Sequence, residues 1–132
     1  MNVLINLTGR LSLYDNEFTG GIPPEIYNLA TLKNFFLGDN IGITGEISPD
    51  IVKMTALERL VVPRTGMGGV LPDEFFATNN MKTFIAAEAK FSGNLEPDQW
   101  VKLTGLQNLD LSFNQFGGPI PNVFHALGQL RK

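Results

Sequence analysis

The sequence predicts a single α/β domain built as a solenoid, in which short parallel strands alternate with short helical turns. Five segments of the chain superimpose, starting at Leu11, Phe35, Leu60, Phe84 and Leu109, with spacings of 24, 25, 24 and 25 residues. Within each segment the apolar period changes from two residues to about three and a half, as it does where a strand leads into a helical or 3₁₀ stretch. Repetition at a fixed period is typical of solenoids.

Each predicted strand places one outward residue between two apolar residues, so that two side chains enter the core and one lies on the open face of the sheet. A single unit of this kind cannot bury its apolar side, whereas units stacked in parallel can. Seven of the ten phenylalanines occupy inward positions in this frame, and we expect them in the core. They are Phe18, Phe35, Phe75, Phe84, Phe91, Phe116 and Phe124.

An asparagine follows the predicted strand in three repeats, at Asn16, Asn40 and Asn114. Its side chain can satisfy backbone groups where the chain turns inward, and stacked asparagines would form a structural ladder. Thr65 fills this position partly and Ala89 cannot fill it. We therefore expect the third and fourth repeats to be the most loosely held, and Ala89→Asn to stabilise the protein by about 1 kcal/mol.

Composition limits the classes of function. The 132 residues are 43% apolar and 17% charged, with a net charge of −3 and no cysteine. The scattered basic residues argue against nucleic acid as a partner, and the absence of cysteine excludes thiolate metal sites and thiol nucleophiles. No apolar run approaches the roughly 18 residues of a membrane span, and no signal peptide is predicted at the N-terminus. The chain itself assigns no compartment.

Catalysis is not predicted. His125 is the only histidine, and no serine or aspartate is placed to form a triad with it. Asp15, Asp39 and Glu88 share one predicted column, but Arg64 lies between the last two, which indicates a solvated, charge-balanced rim. We therefore expect no active site, no metal and no cofactor.

The repeats share one motif, with glycine and proline at fixed places after the asparagine. In the last repeat its positions are Leu109, Leu111, Asn114, Phe116, Gly118, Ile120, Pro121, Phe124 and Leu127. This motif resembles the plant-type pattern of the leucine-rich repeat family, LxxLxxLxLxxNxLxGxIPxxLxxL, and the resemblance covers essentially residues 11 to 130. It implies a right-handed superhelix of about five repeats over residues 11–132, with a parallel sheet on the concave face and helical or 3₁₀ segments on the convex face. Residues 1–10 would form an irregular segment or a truncated repeat.

The resemblance also implies a function. Plant-type members are mostly ectodomains of receptor-like kinases, receptor-like proteins or secreted inhibitors of cell-wall-degrading enzymes. It therefore implies a non-catalytic recognition module, extracellular or at the cell surface, that binds a protein, peptide or glycan through the concave sheet. In a secreted protein, Asn6 of the NLT triplet would be a glycosylation candidate.

Two alternatives remain open at this point. A secreted ice- or cell-wall-surface-binding repeat protein would need the same small polar residue along one column, and the predicted columns are irregular. The capping cysteine pairs usual in extracellular members are missing, which also suits an uncapped structural fragment without its own function. Uncapped ends would favour end-to-end self-association.

The outward residues of the sheet form the candidate recognition surface. Phe36, Val61, Pro63, Ile85 and Ala87 would make an open apolar strip with a charged border. An apolar patch rimmed by polar groups indicates a partner surface, although apolar residues in a column can also simply favour strand pairing. The predicted partner-binding residues are Tyr14, Phe36, Val61, Pro63, Arg64, Ile85, Glu88, Asp110 and Phe113.

Overall fold

The computed structural model of the protein describes residues 9–125 and 127–128. Five strands, one from each repeat, form a parallel sheet in the order β1-β2-β4-β6-β8, and the predicted solenoid is confirmed. The described strands are β1 (Gly9–Ser12), β2 (Leu32–Phe36), β3 (Asn40–Gly45), β4 (Arg59–Val61), β5 (Thr65–Gly69), β6 (Thr83–Ile85), β7 (Lys90–Asn94), β8 (Asn108–Asp110) and β9 (Gln115–Gly117).

A second, four-stranded parallel sheet, β3-β5-β7-β9, lies at and after the asparagine positions, and the repeat pattern does not predict it. Glycines allow its strands to come close together. A Cβ on Gly68 would lie 2.3 Å from the Lys90 carbonyl oxygen, and one on Gly66 would lie 3.0 Å from that of Ile43. Any larger residue at Gly68 would therefore collide with backbone.

In the part of the chain that the structure describes, the convex side carries four 3₁₀ segments and one α-helical turn. The 3₁₀ segments are Pro24–Asn28, Pro49–Lys53, Asp73–Ala77 and Asn122–His125, and the α-turn is Pro97–Trp100. The fourth repeat has one extra residue before Trp100, which lets Trp100 N–H donate to the Glu96 carbonyl four residues back, at 3.2 Å. Among the described residues, no helix is long and apolar enough to cross a bilayer.

Asn40 joins the first two repeats. It is fully buried, and its amide group donates to Leu13 O of the preceding repeat and to Leu37 O of its own, each at 2.8 Å. Its side-chain oxygen accepts from Phe18 N–H at 3.2 Å. The polar groups at both turns are thus satisfied by one side chain.

Asn114 makes the same cross-repeat pair in the last repeats. It donates to Ala86 O at 2.7 Å and accepts from Phe91 N–H at 2.9 Å. Asn16, in the first repeat, makes only local bonds to the described residues, to Leu13 O at 3.2 Å and to Tyr14 O at 3.1 Å.

Thr65 compensates for Ala89. By analogy with Asn114, an asparagine at position 89 would serve Val62 O and Met67 N–H of the third repeat. The Thr65 hydroxyl already serves both, donating to Val62 O at 2.9 Å and accepting from Met67 N–H at 3.4 Å. The turn is therefore satisfied within its own repeat.

Most predicted core phenylalanines are buried or packed against the core. Phe18 is the exception, because its side chain is 46% exposed. It belongs to the first repeat, whose strand β1 lies at the end of the sheet. Among the described residues only the second repeat stacks on it, so one side of the ring stays open, and the prediction for Phe18 was wrong.

Aromatic side chains fill the third and fourth repeats. Phe75 packs on Phe84 with ring centroids 4.7 Å apart, and Trp100 packs edge-on against Phe76 at 5.2 Å and Phe124 at 5.8 Å. Phe76, not predicted in the core, is 3% exposed. Aromatic pairs of this geometry add stabilisation beyond the area they bury.

Candidate partner-binding surface

The sheet register brings together the outward residues of all five repeats. Ser12, Phe36, Val61, Ile85 and Asp110 are paired successively across β1, β2, β4, β6 and β8. Phe36, Val61 and Ile85 are half-buried, whereas the inward neighbours in the same strands are fully buried. Because adjacent strands lie about 4.8 Å apart, these three side chains form a continuous apolar strip.

Arginines line the amino-terminal margin of this strip. The Arg10 guanidinium lies over the Phe36 ring, 4.8 Å from its centroid, which is a favourable cation–π geometry. Arg59 lies in register with Asn34, which in turn pairs with Arg10. Arg10 was not among the predicted site residues, because its contact with Phe36 crosses between two repeats.

Pro63 is buried and does not belong to the open strip, contrary to the prediction. The reason lies at Gly38, where an added Cβ would lie 2.4 Å from Tyr14 Cε2 and 2.8 Å from Pro63 Cδ. The Tyr14 ring and Pro63 therefore close over Gly38. Tyr14 itself remains 38% exposed.

Arg64 lies at the centre of a polar cluster at the carboxyl-terminal margin. Its Nε and Nη2 both donate to the Asp39 carboxylate, and Nη2 also donates to the Tyr14 hydroxyl at 2.8 Å. Glu88 Oε1 lies 3.9 Å from Nη1. Hydrogen bonding to Arg64 lowers the pKa of Asp39 to about 2, and the Asp39 carboxylate is the main cause of a raised pKa at Tyr14.

A column of left-handed residues runs along the same margin. Asp15, Asp39, Arg64, Glu88 and Phe113, one in each repeat, have φ angles of 58°, 55°, 51°, 55° and 55°. This backbone conformation costs residues with a side chain about 1 kcal/mol or more, and aspartate tolerates it better than arginine, glutamate or phenylalanine. The repeat spacing predicts that these residues share one column, but it does not predict their conformation.

Phe113 combines this backbone strain with exposure. Its side chain is 80% exposed, so little burial offsets the cost of the left-handed conformation. Strained and exposed apolar residues cluster at functional surfaces. Phe113 therefore stands out as a candidate contact for a partner.

Other chemically reactive groups do not converge. His125 is exposed, and its Nδ1 contacts the Asn122 carbonyl oxygen. Within residues 9–125 and 127–128, no group of three or more His, Asp or Glu side chains could hold a metal ion. The glycosylation candidate Asn6 lies outside the described residues.

A family model described as Leucine Rich Repeat matches residues 10–29 and 105–127. Receptor-like protein 35 of Arabidopsis thaliana is 35% identical over 114 residues, which are 86% of this chain and 12% of that protein. The LRR ectodomain of the plant membrane receptor kinase GASSHO1/SCHENGEN3 from Arabidopsis thaliana, in complex with CASPARIAN STRIP INTEGRITY FACTOR 2, superposes with a TM-score of 0.90. The match is 28% identical in sequence and covers 98% of this chain and 15% of the ectodomain chain.

A plant ice-binding protein superposes with a TM-score of 0.80 at 28% identity, over 86% of this chain and 37% of that chain. The chain spans only 12% and 13% of the length of the curated relatives it matches, both of them receptor-like proteins. The repeat register, the asparagine turns and these likenesses agree, and the chain belongs to the leucine-rich repeat family, in its plant receptor-like type.

Proposed function

We propose that the chain is a non-catalytic recognition module of a receptor-like protein, and that its concave sheet binds a protein or peptide ligand. The observation that carries this proposal is the apolar strip of Phe36, Val61 and Ile85. These side chains are held in register on the open face of the sheet and remain partly accessible to solvent. A partner that covered them would remove apolar surface from water, which favours binding.

The margins of the strip support the same proposal. Tyr14 and Arg64 are exposed residues of types that dominate the binding energy of protein interfaces, and Phe113 is exposed and of a type enriched in interfaces. Asp110 of the last repeat continues the strip beyond Ile85. Its carboxylate accepts a hydrogen bond from the Ser112 hydroxyl at 2.6 Å. An apolar centre with a polar rim is the usual anatomy of an interface.

A similar ectodomain provides a precedent for ligand binding, but it does not identify the ligand of this chain. The GASSHO1/SCHENGEN3 ectodomain was crystallised in complex with CASPARIAN STRIP INTEGRITY FACTOR 2. We infer that this chain also binds a protein or peptide, through its concave sheet, and that its own outward residues determine the ligand it selects.

A library of random 12-residue peptides, displayed on phage and selected on the immobilised chain, tests this proposal. We expect selected peptides to lose at least about tenfold in affinity, roughly 1.4 kcal/mol, when Phe36 and Val61 are changed to serine. Val52→Ser is the matched control, because Val52 is 42% exposed on the convex side. Equal affinity for the chain and the concave variant would refute the concave site, and a parallel glycan array tests a carbohydrate ligand.

A second candidate function is binding to an ice surface, favoured by the likeness to a plant ice-binding protein. The central column argues against it, because Ser12, Phe36, Val61, Ile85 and Asp110 do not repeat one small polar residue. Inhibition of ice recrystallisation at micromolar concentration would support this candidate over peptide recognition.

Self-association is a further expectation for this module. Phe18 and Ile120, in the first and last repeats, are 46% and 86% exposed. A second copy that stacked one end against the other would cover both side chains. Sedimentation equilibrium over a hundredfold range of concentration would reveal it as a rising average mass.

A further inference from the structure

The hydrogen-bonding capacity of Arg64 is only partly used. An arginine carries five N–H donors, and three of those in Arg64 are bonded, through Nε and Nη2, to Asp39 and Tyr14. Neither N–H of Nη1 makes a hydrogen bond to a described residue, and the Glu88 carboxylate approaches it only to 3.9 Å. One edge of the guanidinium is therefore fixed, and Nη1, on a side chain that is 47% exposed, lies toward Glu88.

The Glu88 carboxylate is also available to bind a ligand. Its side chain is 52% exposed, and its carboxylate accepts no hydrogen bond from the described residues. A donor, Arg64 Nη1, and an acceptor, Glu88 Oε1, thus lie side by side at the margin of the apolar strip.

The charge of the cluster selects the ligand group. Asp39 and Glu88 carry two negative charges against the single positive charge of Arg64, so the cluster is negative overall. A carboxylate ligand would have to lie beside Glu88 and would be repelled. A neutral amide meets no such repulsion, because its oxygen can accept from Arg64 while its N–H donates to Glu88.

We propose, on the basis of the function proposed above, that Arg64 Nη1 and the Glu88 carboxylate bind the C=O and N–H of one residue in an extended peptide ligand. In an extended chain the N–H and C=O of one residue point to the same side, which is why paired strands exchange two bonds per residue. A donor and an acceptor 3.9 Å apart offer the complementary pair. Asp39 and Tyr14 are positioning residues that hold Arg64 for this contact.

The position of this pair makes it a register anchor. Arg64 and Glu88 lie three residues beyond Val61 and Ile85 in the same repeats, which is at most about 10 Å along the chain. The Arg64–Glu88 pair binds the main chain of the ligand, and the apolar strip contacts the ligand's apolar side chains. The ligand's register is thus fixed without a requirement for a particular residue at the anchor.

An ester scan tests the anchor directly. Selected peptides, acetylated and amidated so that their ends carry no charge, are resynthesised with one backbone N–H at a time replaced by an ester oxygen. We expect one position at which the ester weakens binding about tenfold, as for a hydrogen bond to a charged group. Glu88→Ala should weaken the all-amide peptide by a similar factor and abolish the ester penalty at that position. Glu74→Ala, on the convex side, is the matched control.

Three results would overturn the proposal. An ester penalty that Glu88→Ala leaves unchanged would place the N–H contact elsewhere. Tighter binding in Glu88→Ala, with an acidic residue shared by the selected peptides, would show that Arg64 takes a carboxylate. A shared asparagine or glutamine without any ester penalty would show that the pair reads a side-chain amide instead of the main chain.

A second measurement is independent of the selected peptides, and so separates failure of the anchor from failure of the proposed function. N-acetylglycine N′-methylamide and acetate are titrated separately at equal ionic strength, and the NMR signals of the Arg64 guanidinium and the Glu88 carboxylate are followed. Shifts with the diamide that exceed those with acetate support the anchor. The opposite order overturns it.

Discussion

The second and fourth repeats hold their neighbours by different means. In the second, the fully buried Asn40 bonds backbone groups of two successive turns. In the fourth, the corresponding residue is Ala89, and the fully buried Phe84, Phe91 and Trp100 fill the interior instead. The contrast shows that a missing asparagine need not leave a turn unsatisfied, since the Thr65 hydroxyl bonds Val62 O and Met67 N–H.

The largest loss of stability should come from a change in the aromatic interior of the fourth repeat. Trp100→Ala removes a ring that is 1% exposed and packed between Phe76 and Phe124. We expect a loss of about 3–5 kcal/mol in the free energy of unfolding, from lost burial and a residual cavity. Urea unfolding followed by far-UV circular dichroism measures it, with Val101→Ala as the exposed control. A loss below that of Asn40→Ala would reverse the comparison.

Asn40→Ala should have the next largest effect. It leaves Leu37 O and Phe18 N–H without this partner and Leu13 O with only the longer bond from Asn16, and we expect a loss of about 2–3 kcal/mol. Asn16→Ala removes only local, exposed bonds and should cost less than about 0.5 kcal/mol. Equal losses in the two variants would mean that cross-repeat bonding contributes nothing.

Thr65→Val should cost about 1–2 kcal/mol, because Val62 O and Met67 N–H then lose the hydroxyl that serves both. The variant keeps the volume of the side chain, so the loss reports the hydrogen bonds. Chemical unfolding compared with Thr55→Val, an exposed threonine on the convex side, gives the measurement. A loss no larger than in Thr55→Val would show that the turn does not depend on Thr65.

Ala89→Asn should stabilise the wild-type chain by less than the roughly 1 kcal/mol expected from the sequence, because Thr65 already occupies the groups it would bond. In the Thr65→Val background the same change should recover most of the loss. A double-mutant cycle from thermal unfolding measures this coupling. Equal effects in both backgrounds would contradict the exchange of roles between Thr65 and an asparagine at position 89.

The smallest predicted effect is the loss of stability at low pH. The pKa of Asp39 is lowered from 3.8 to about 2 by Arg64, so its ionised form is favoured in the folded state. Its stabilising contribution is present above about pH 4 and is lost as the pH falls towards 2. Asp39→Asn suits the left-handed backbone and should narrow the stability difference between pH 5 and pH 2. An unchanged difference would mean that the ion pair contributes nothing to folding.

The sequence predicted the strand register because the alternation of two and the spacing of 24 or 25 residues determine which residues pair. Leu11, Phe35, Leu60, Phe84 and Leu109 lie side by side as expected. The central column of the candidate surface follows from the same register, so its membership was also predictable.

The remaining features depend on contacts between particular residues of different repeats, which a shared motif does not describe. Pro63 is buried because Gly38, one repeat earlier, has no side chain and lets both Pro63 and the Tyr14 ring pack against it. Gly66 and Gly68 fill variable positions of the motif, yet the second sheet requires them to be small. The signal that could have indicated this sheet was their spacing of two, which repeats one face of a strand.

The left-handed column has a consequence for how such a surface changes over time. The motif and the sheet hold φ between 51° and 58° whether the residue is aspartate, arginine, glutamate or phenylalanine. Each repeat therefore offers one outward position at which side chains of different chemistry are accommodated on the same backbone, with aspartate tolerating that backbone best. Selection can alter these five positions one at a time, so new ligands can be acquired while the scaffold stays the same.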